Sequence, residues 1–245
     1  MKSVVLPTLL AALLMLGGRP ACAGLNSGIA INWGGCIAKG VVETQWFACN
    51  TNTGASFELY MSLVLPADLP KFVATTAIVD VRFQGSALPS WWQAATGQCR
   101  TGAVSVSYDP NSFSELCPDL WAGLQPMSVF ALQPSVHGLA NELRLNSGAA
   151  FPVGTEISLL ADGQELTVCK FVIRRQKSTG ADACEGCSTC ASLVPVECFL
   201  QQPIPWPAYR LTGLYSWDRK RWWNGSCDPT PTQNRSWGQI KGLYR

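Results

Sequence analysis

With 245 residues, 47% of them hydrophobic and only 14% charged, the chain carries enough apolar material for one large core or two small ones. Its formal net charge of +2 rests on few basic residues, which argues against nucleic acid as a partner. Eleven cysteines against a single histidine make the oxidation state of sulfur the first question.

Met1-Lys2 precedes an apolar run from Val4 to Leu16, a Gly-Gly-Arg-Pro break and Ala21-Cys22-Ala23. A charged start, a short apolar stretch and an A-x-A site are the parts of a secretory signal peptide, so 1–23 is expected to be removed in export. The run is too short for a membrane anchor. Arg19-Pro20-Ala21 lacks the small apolar approach that a lipid-attachment cysteine at 22 needs. No later segment is long and apolar enough to span a bilayer, so no membrane span is expected.

From 24 to 205 the pattern is that of strands. Runs at 28–33 and 41–48 are split by Gly34-Gly35, and Asn50-Thr-Asn-Thr-Gly54 turns the chain into 57–65. There Phe57, Leu59, Met61, Leu63 and Leu65 alternate with Glu58, Tyr60, Ser62 and Val64, the period of a half-buried strand. Further runs follow at 72–83, 103–108, 128–132, 140–145, 155–160 and 165–175, bounded by Gly, Pro, Asn or Asp. In 165–175 neither parity is purely polar, which predicts a central strand, and Asp162-Gly163 signals a hairpin before it. Only 119–125 and the last ten residues have the makings of a helical turn. The spacing predicts an all-β chain, a β-sandwich of the jelly-roll kind.

Removal of the leader leaves ten cysteines: Cys36, Cys49, Cys99, Cys117, Cys169, Cys184, Cys187, Cys190, Cys198 and Cys227. In an exported chain an even number reads as five disulfides bracing the sandwich. Cys36 with Cys49, and Cys99 with Cys117, are the expected local pairs, each bracketing a short loop; the other six leave fifteen connectivities open. The alternative for Cys184-Glu-Gly-Cys187-Ser-Thr-Cys190 and Cys198 is a thiolate cage for zinc or iron–sulfur, which needs a reducing compartment.

Residues 206–245 form a basic, Trp-rich extension. The segment 24–205 holds 9 basic and 14 acidic residues, and 206–245 holds 7 basic and 2 acidic, so the extension has its own body or another copy as an electrostatic partner. Asp228-Pro-Thr-Pro-Thr-Gln reads as a stiff linker. Beyond it Trp237, Ile240 and Tyr244 stand three and four apart behind Ser236, the signature of a short capped helix that needs a surface to dock on.

The ending Trp237-Gly-Gln-Ile240-Lys-Gly-Leu-Tyr244-Arg, with Phe47-Ala-Cys-Asn-Thr-Asn-Thr-Gly54, Leu88-Pro-Ser-Trp-Trp92 and Cys99-Arg100, resembles a group of uncharacterised exported bacterial proteins. The resemblance implies export, a bacterial source and a β-rich fold. It implies no activity.

Catalytic constellations are sparse. His137 sits in a turn context, and the chain carries no G-x-S-x-G, no H-E-x-x-H and no phosphate-cradling glycine loop. Asp109-Pro-Asn111-Ser-Phe-Ser-Glu115 lacks the ligand spacing of an EF-hand, so no catalytic residue, metal or cofactor is expected. Tryptophan is the feature suited to binding: Trp91-Trp92 and Trp222-Trp223 are adjacent pairs in which one ring of each faces out if the other faces in. Three functional readings result. The first is a non-catalytic exported structural, adhesion or protein-interaction module. The second is a carbohydrate-binding module that stacks Trp91, Trp92, Trp222 or Trp223 on sugar rings. The third, and weakest, is a glycosidase-like enzyme with paired carboxylates.

Overall fold

In the computed structural model, residues 27–113, 116–152, 154–212, 220–225 and 227 are described. The expected leader, the expected linker from 228 onward and the candidates Trp237, Ile240 and Tyr244 lie outside them. The described chain is all-β. Its strands are β1 (Gly28–Trp33), β2 (Thr44–Gln45), β3 (Phe57–Val64), β4 (Leu69–Phe72), β5 (Ala74–Phe83), β6 (Val104–Ser107), β7 (Met127–Pro134), β8 (Glu142–Ala150), β9 (Ile157–Leu159), β10 (Glu165–Ile173), β11 (Ala191–Gln201), β12 (Tyr209–Leu211) and β13 (Arg221–Trp223). The helical segments among them are single 3-10 turns of three residues.

Two sheets enclose one core. The four-stranded sheet runs β1-β3-β10-β6, and the larger one β2-β13-β11-β5-β8-β7 with β12 on β11. The register gives the winding. Phe57 pairs with Ile173 and Val64 with Glu165 in the first sheet, Leu69 with Leu159 at the corner, and Ala74 with Ala150 through Arg82 with Glu142 in the second. The segments 57–83 and 142–173 are thus one antiparallel ribbon folded over the core, bent at β4 and β9, in jelly-roll fashion. The alternation of β5 shows why it lies so: Ala77, Val79, Val81 and Phe83 are buried while Thr76, Ile78, Asp80 and Arg82 face outward. Each large apolar side chain buried in this way contributes roughly 1.5–3 kcal/mol. As expected for a central strand, β10 is covered on both faces along most of its length.

Some expectations are corrected. Asp162-Gly163 turns the chain, but β9 pairs with β4 and β10 with β3, so it closes no hairpin. Between 41 and 48 only Thr44–Gln45 is strand, and 119–125 forms turns rather than helix. The longest strand, β11, has no counterpart in the sequence reading. Pro195 sits inside it, and the register shift between Pro195 and Glu197 is the bulge that admits a residue without an N–H. The extension expected to begin at 206 contributes β12 and β13, both paired with β11 of its own body, and Arg210 meets Glu197 at 3.3 Å.

The cysteine pairing differs most. The bridges are Cys36–Cys117, Cys49–Cys187, Cys99–Cys184 and Cys190–Cys227. Neither local pair forms, because the stretch 184–190 lies across the loops that carry Cys49, Cys99 and Cys227 and takes all three as partners. Sequence proximity cannot register that crossing. The four sulfurs of the supposed cage are therefore dispersed: three belong to separate bridges, and Cys198 lies in the core. Among the described residues Cys169 and Cys198 remain as thiols, both buried, so four bridges stand where five were expected. Among the described residues, no helix is long and apolar enough to cross a membrane.

Candidate functional site

The tryptophans were the sequence's candidates for binding, and the fold withdraws most of them from solvent. Trp91, Trp92 and Trp223 are all 0% exposed. Their rings meet at 5.2–5.3 Å, joined by Phe47 at 5.5 Å from both Trp91 and Trp223 and by Trp33 at 5.9 Å from Trp223. A 3-10 turn at Ser90–Trp92 replaces the extended pair that would have pointed its side chains apart, so both rings turn inward. In β13 the alternation holds: Trp223 is core, and Trp222 is half-buried.

This aromatic cluster is anchored from the disulfide-rich stretch. Trp223 Nε1 donates to Cys187 O at 3.2 Å, Trp91 N to Glu185 O at 2.9 Å, and Trp91 Nε1 to Ser178 Oγ at 2.9 Å. Arg100, next to the Cys99 bridge and fully buried, lies 3.4 Å over the Trp91 ring. Its guanidinium donates to Trp91 O at 2.6 Å, to Gln176 O at 2.8 Å and to Arg174 O. Burial pushes its pKa down to about 9. A fully buried cation, held by three carbonyls and an indole face, is not presented to a ligand in solvent.

The two thiols belong to a second buried polar group. Tyr108 Oη donates to Ser147 Oγ at 2.9 Å, and Thr75 Oγ1 lies 3.3 Å from Cys198 Sγ. Burial pushes the Cys198 thiol up to about 12, and burial and then the neighbouring Cys198 push Cys169 well above the ordinary thiol range. Such sulfurs are protonated and poor nucleophiles.

Two surface clefts carry acidic groups, one each. A cleft of about 450 Å³ is lined by Gly34, Gln45, Ser56, Phe57, Glu58 and Val172. Glu58 there is already bonded to Lys170 Nζ at 2.7 Å and Tyr60 Oη at 3.1 Å; burial, with Glu58 beside it, raises the Tyr60 phenol far above its usual range. A cleft of about 400 Å³ near Pro89 and Thr189 holds Glu185. Neither cleft brings two carboxylates face to face, as glycoside hydrolysis requires. His137 Nδ1 lies 3.2 Å from Glu142 Oε2 in an exposed turn, and Asp109 Oδ1 accepts from Asn111 N at 3.0 Å as a turn cap.

The exposed chemistry lies elsewhere, on β7. This strand of eight residues ends the larger sheet, and its burial pattern is exposed at six of eight positions. Val129 is 73% and Met127 66% exposed. Phe130 and Leu132 are half-buried against the core, with Phe130 6.1 Å from Phe171 of the opposite sheet. No Asp, Glu, Lys or Arg occurs between Asp119 and Glu142. Pairing with β8 runs without a bulge over all eight positions. Edge strands of monomeric proteins are ordinarily guarded by lysine, a bulge or a covering loop; among the described residues, only Pro134 at its end interrupts this one. The sequence predicts a strand over 128–132 and shows the stretch to be uncharged, but it does not mark the strand as an edge.

Compared with protein-family models, with curated proteins and with solved structures, the chain matches none.

Proposed function

We propose that this chain is a non-catalytic interaction module of an oxidising, extracytoplasmic space, which holds protein partners by adding an extended segment to β7. One observation carries the reading: an eight-residue, uncharged edge strand with Met127 and Val129 standing in solvent. Strand addition supplies affinity through main-chain hydrogen bonds and specificity through the alternating side chains. Four disulfides suit such a compartment, and the leader-like residues 1–23 favour export. The test is calorimetric titration of the mature chain with extended, uncharged Val/Thr peptides. Binding that disappears in Val129→Lys/Ala131→Lys supports the reading, and no binding by any such peptide to a chain that is monomeric sinks it.

A carbohydrate-binding reading keeps one supporting observation. Trp46 is 68% exposed and half-buried Trp222 carries Lys220 Nζ 5.6 Å from its ring, both at the β2–β13 end of the larger sheet. A glycan array with Trp46→Ala and Trp222→Ala controls tests it, and silence across the array removes it.

A further inference from the structure

Resting on that strand-addition reading, we infer that the segment β7 accepts is β7 of a second copy of this chain, paired antiparallel about a two-fold axis through Phe130.

The hydrogen-bond alternation defines the edge. Ser135 donates its N–H to Glu142 O at 2.9 Å, in register with the pairing of Pro134 and Leu143. In an antiparallel ladder, residues that bond one neighbour alternate with residues that face the other way. Gln133, Ala131, Val129 and Met127 therefore direct their backbone groups to β8, and Ser128, Phe130 and Leu132 direct theirs away from the sheet. Pro126 and Pro134, which have no N–H, bracket these three donors. The set is symmetric about Phe130.

A set symmetric about its own centre is its own complement. Two copies laid antiparallel place Phe130 against Phe130 and Ser128 against Leu132, so every outward N–H finds a carbonyl and each proline meets a proline. On the outer face, Val129 then stands against Ala131 and Met127 against Gln133 of the second copy. The charge pattern agrees: identical copies repel each other wherever the contact carries net charge, and this strand carries none. The area places the contact in the weak, transient class. Eight residues span about 26 Å, for an interface on the order of 1,000 Å² in total, the lower bound for a specific one. The dimer is accordingly a weak one, with dissociation in the micromolar range.

The test exploits the cross-strand contact of 129 with 131. Sedimentation velocity of the full mature chain from low-micromolar to sub-millimolar concentration is expected to show a reversible dimer. Val129→Lys/Ala131→Lys puts like charges opposite each other twice and is expected to weaken it at least about tenfold. Val129→Lys/Ala131→Glu puts opposite charges there and is expected to restore it to within about threefold. Both variants change exposed side chains, and unchanged near-ultraviolet dichroism verifies the fold. Equal weakening in both variants, or in neither, overturns the pairing. A chain that stays monomeric yet binds extended peptides overturns the second copy and leaves strand addition standing; a monomer that binds neither overturns both.

Discussion

The buried guanidinium of Arg100 offers the sharpest measurement of what holds the aromatic cluster together. Replacing it by methionine, Arg100→Met, keeps much of the volume and removes every donor. The carbonyls of Trp91, Gln176 and Arg174 lose their partner in a dry site, at about 1–3 kcal/mol each. The contact over the Trp91 ring at 3.4 Å is lost too, worth about 2 kcal/mol when desolvated. Against this stands relief from burying a cation, a cost of several kcal/mol whose sign is visible in the lowered pKa. The balance is a net loss of about 3 kcal/mol, or roughly 6–12 °C in melting temperature for a chain of this length. Arg100→Lys keeps the charge but not the planar fork, and is expected to lose about 2 kcal/mol. The assay is thermal unfolding under non-reducing conditions, with the wild type in parallel. An Arg100→Met variant melting within about 2 °C of the wild type would refute the idea that the carbonyls depend on this side chain.

Other outcomes follow from the sulfurs and phenols. A thiol reagent should find no reactive cysteine in the folded chain and two after denaturation without reductant, Cys169 and Cys198; native labelling would contradict their burial. A non-reducing peptide map should return Cys36–Cys117, Cys49–Cys187, Cys99–Cys184 and Cys190–Cys227, and Cys49→Ala/Cys187→Ala should lower stability by about 2–5 kcal/mol. Alkali should destabilise the fold. Burial raises Cys169, Cys198, Tyr108 and Tyr60 above their unfolded values, so the folded chain holds protons that the unfolded chain gives up. Their contribution is whole below about pH 8.5 and falls as pH climbs toward 12, by up to about 1.4 kcal/mol per unit for each group. Arg100, with its pKa lowered, opposes this as one group against four. Cys169→Ala/Cys198→Ala should flatten the slope, and a slope unchanged by that pair would show that the thiols do not contribute.

Strand periodicity was legible in β5, where one face is core, the other is not, and alternation survives along the whole strand. It failed at β11, because a proline in mid-strand and cysteines before and within it read as loop; only the pairing with β5, bulged at Pro195, makes it a strand. Tryptophan failed for the opposite reason. Adjacent pairs divide between two faces only when the backbone is extended, and the 3-10 turn at Ser90–Trp92 folds both rings inward. The bridges were beyond reach because each joins positions at least 37 apart in sequence, up to 138. What brings them together is the wrapping of the 184–190 stretch over other loops. The edge at β7 was legible in part: the absence of charge is in the sequence, but that the strand lies at the border of its sheet is a property of topology.

The placement of the braces bears on how β7 works. Three bridges converge on 184–190, beside the aromatic cluster, and the fourth joins Cys36 to Cys117; none touches β7 or β8. Yet β8 pairs over nine positions with β5, and β5 over ten with β11, the strand that begins one residue after Cys190. The edge is thus held by a sheet whose far side is covalently fixed, while among the described residues none bonds its outward backbone groups. Association through a strand loses affinity when the strand must first be ordered, at roughly 1–2 kcal/mol of backbone entropy per residue. A chain that orders β7 in advance avoids that cost, which is why so small an interface is sufficient for a reversible contact. The corollary is measurable by hydrogen exchange in Cys49→Ala/Cys187→Ala. If bracing at the far side holds β7 in order, its β8-facing amides at Val129 and Ala131 should exchange faster in the variant; unchanged rates would mean that pairing with β8 alone orders the edge.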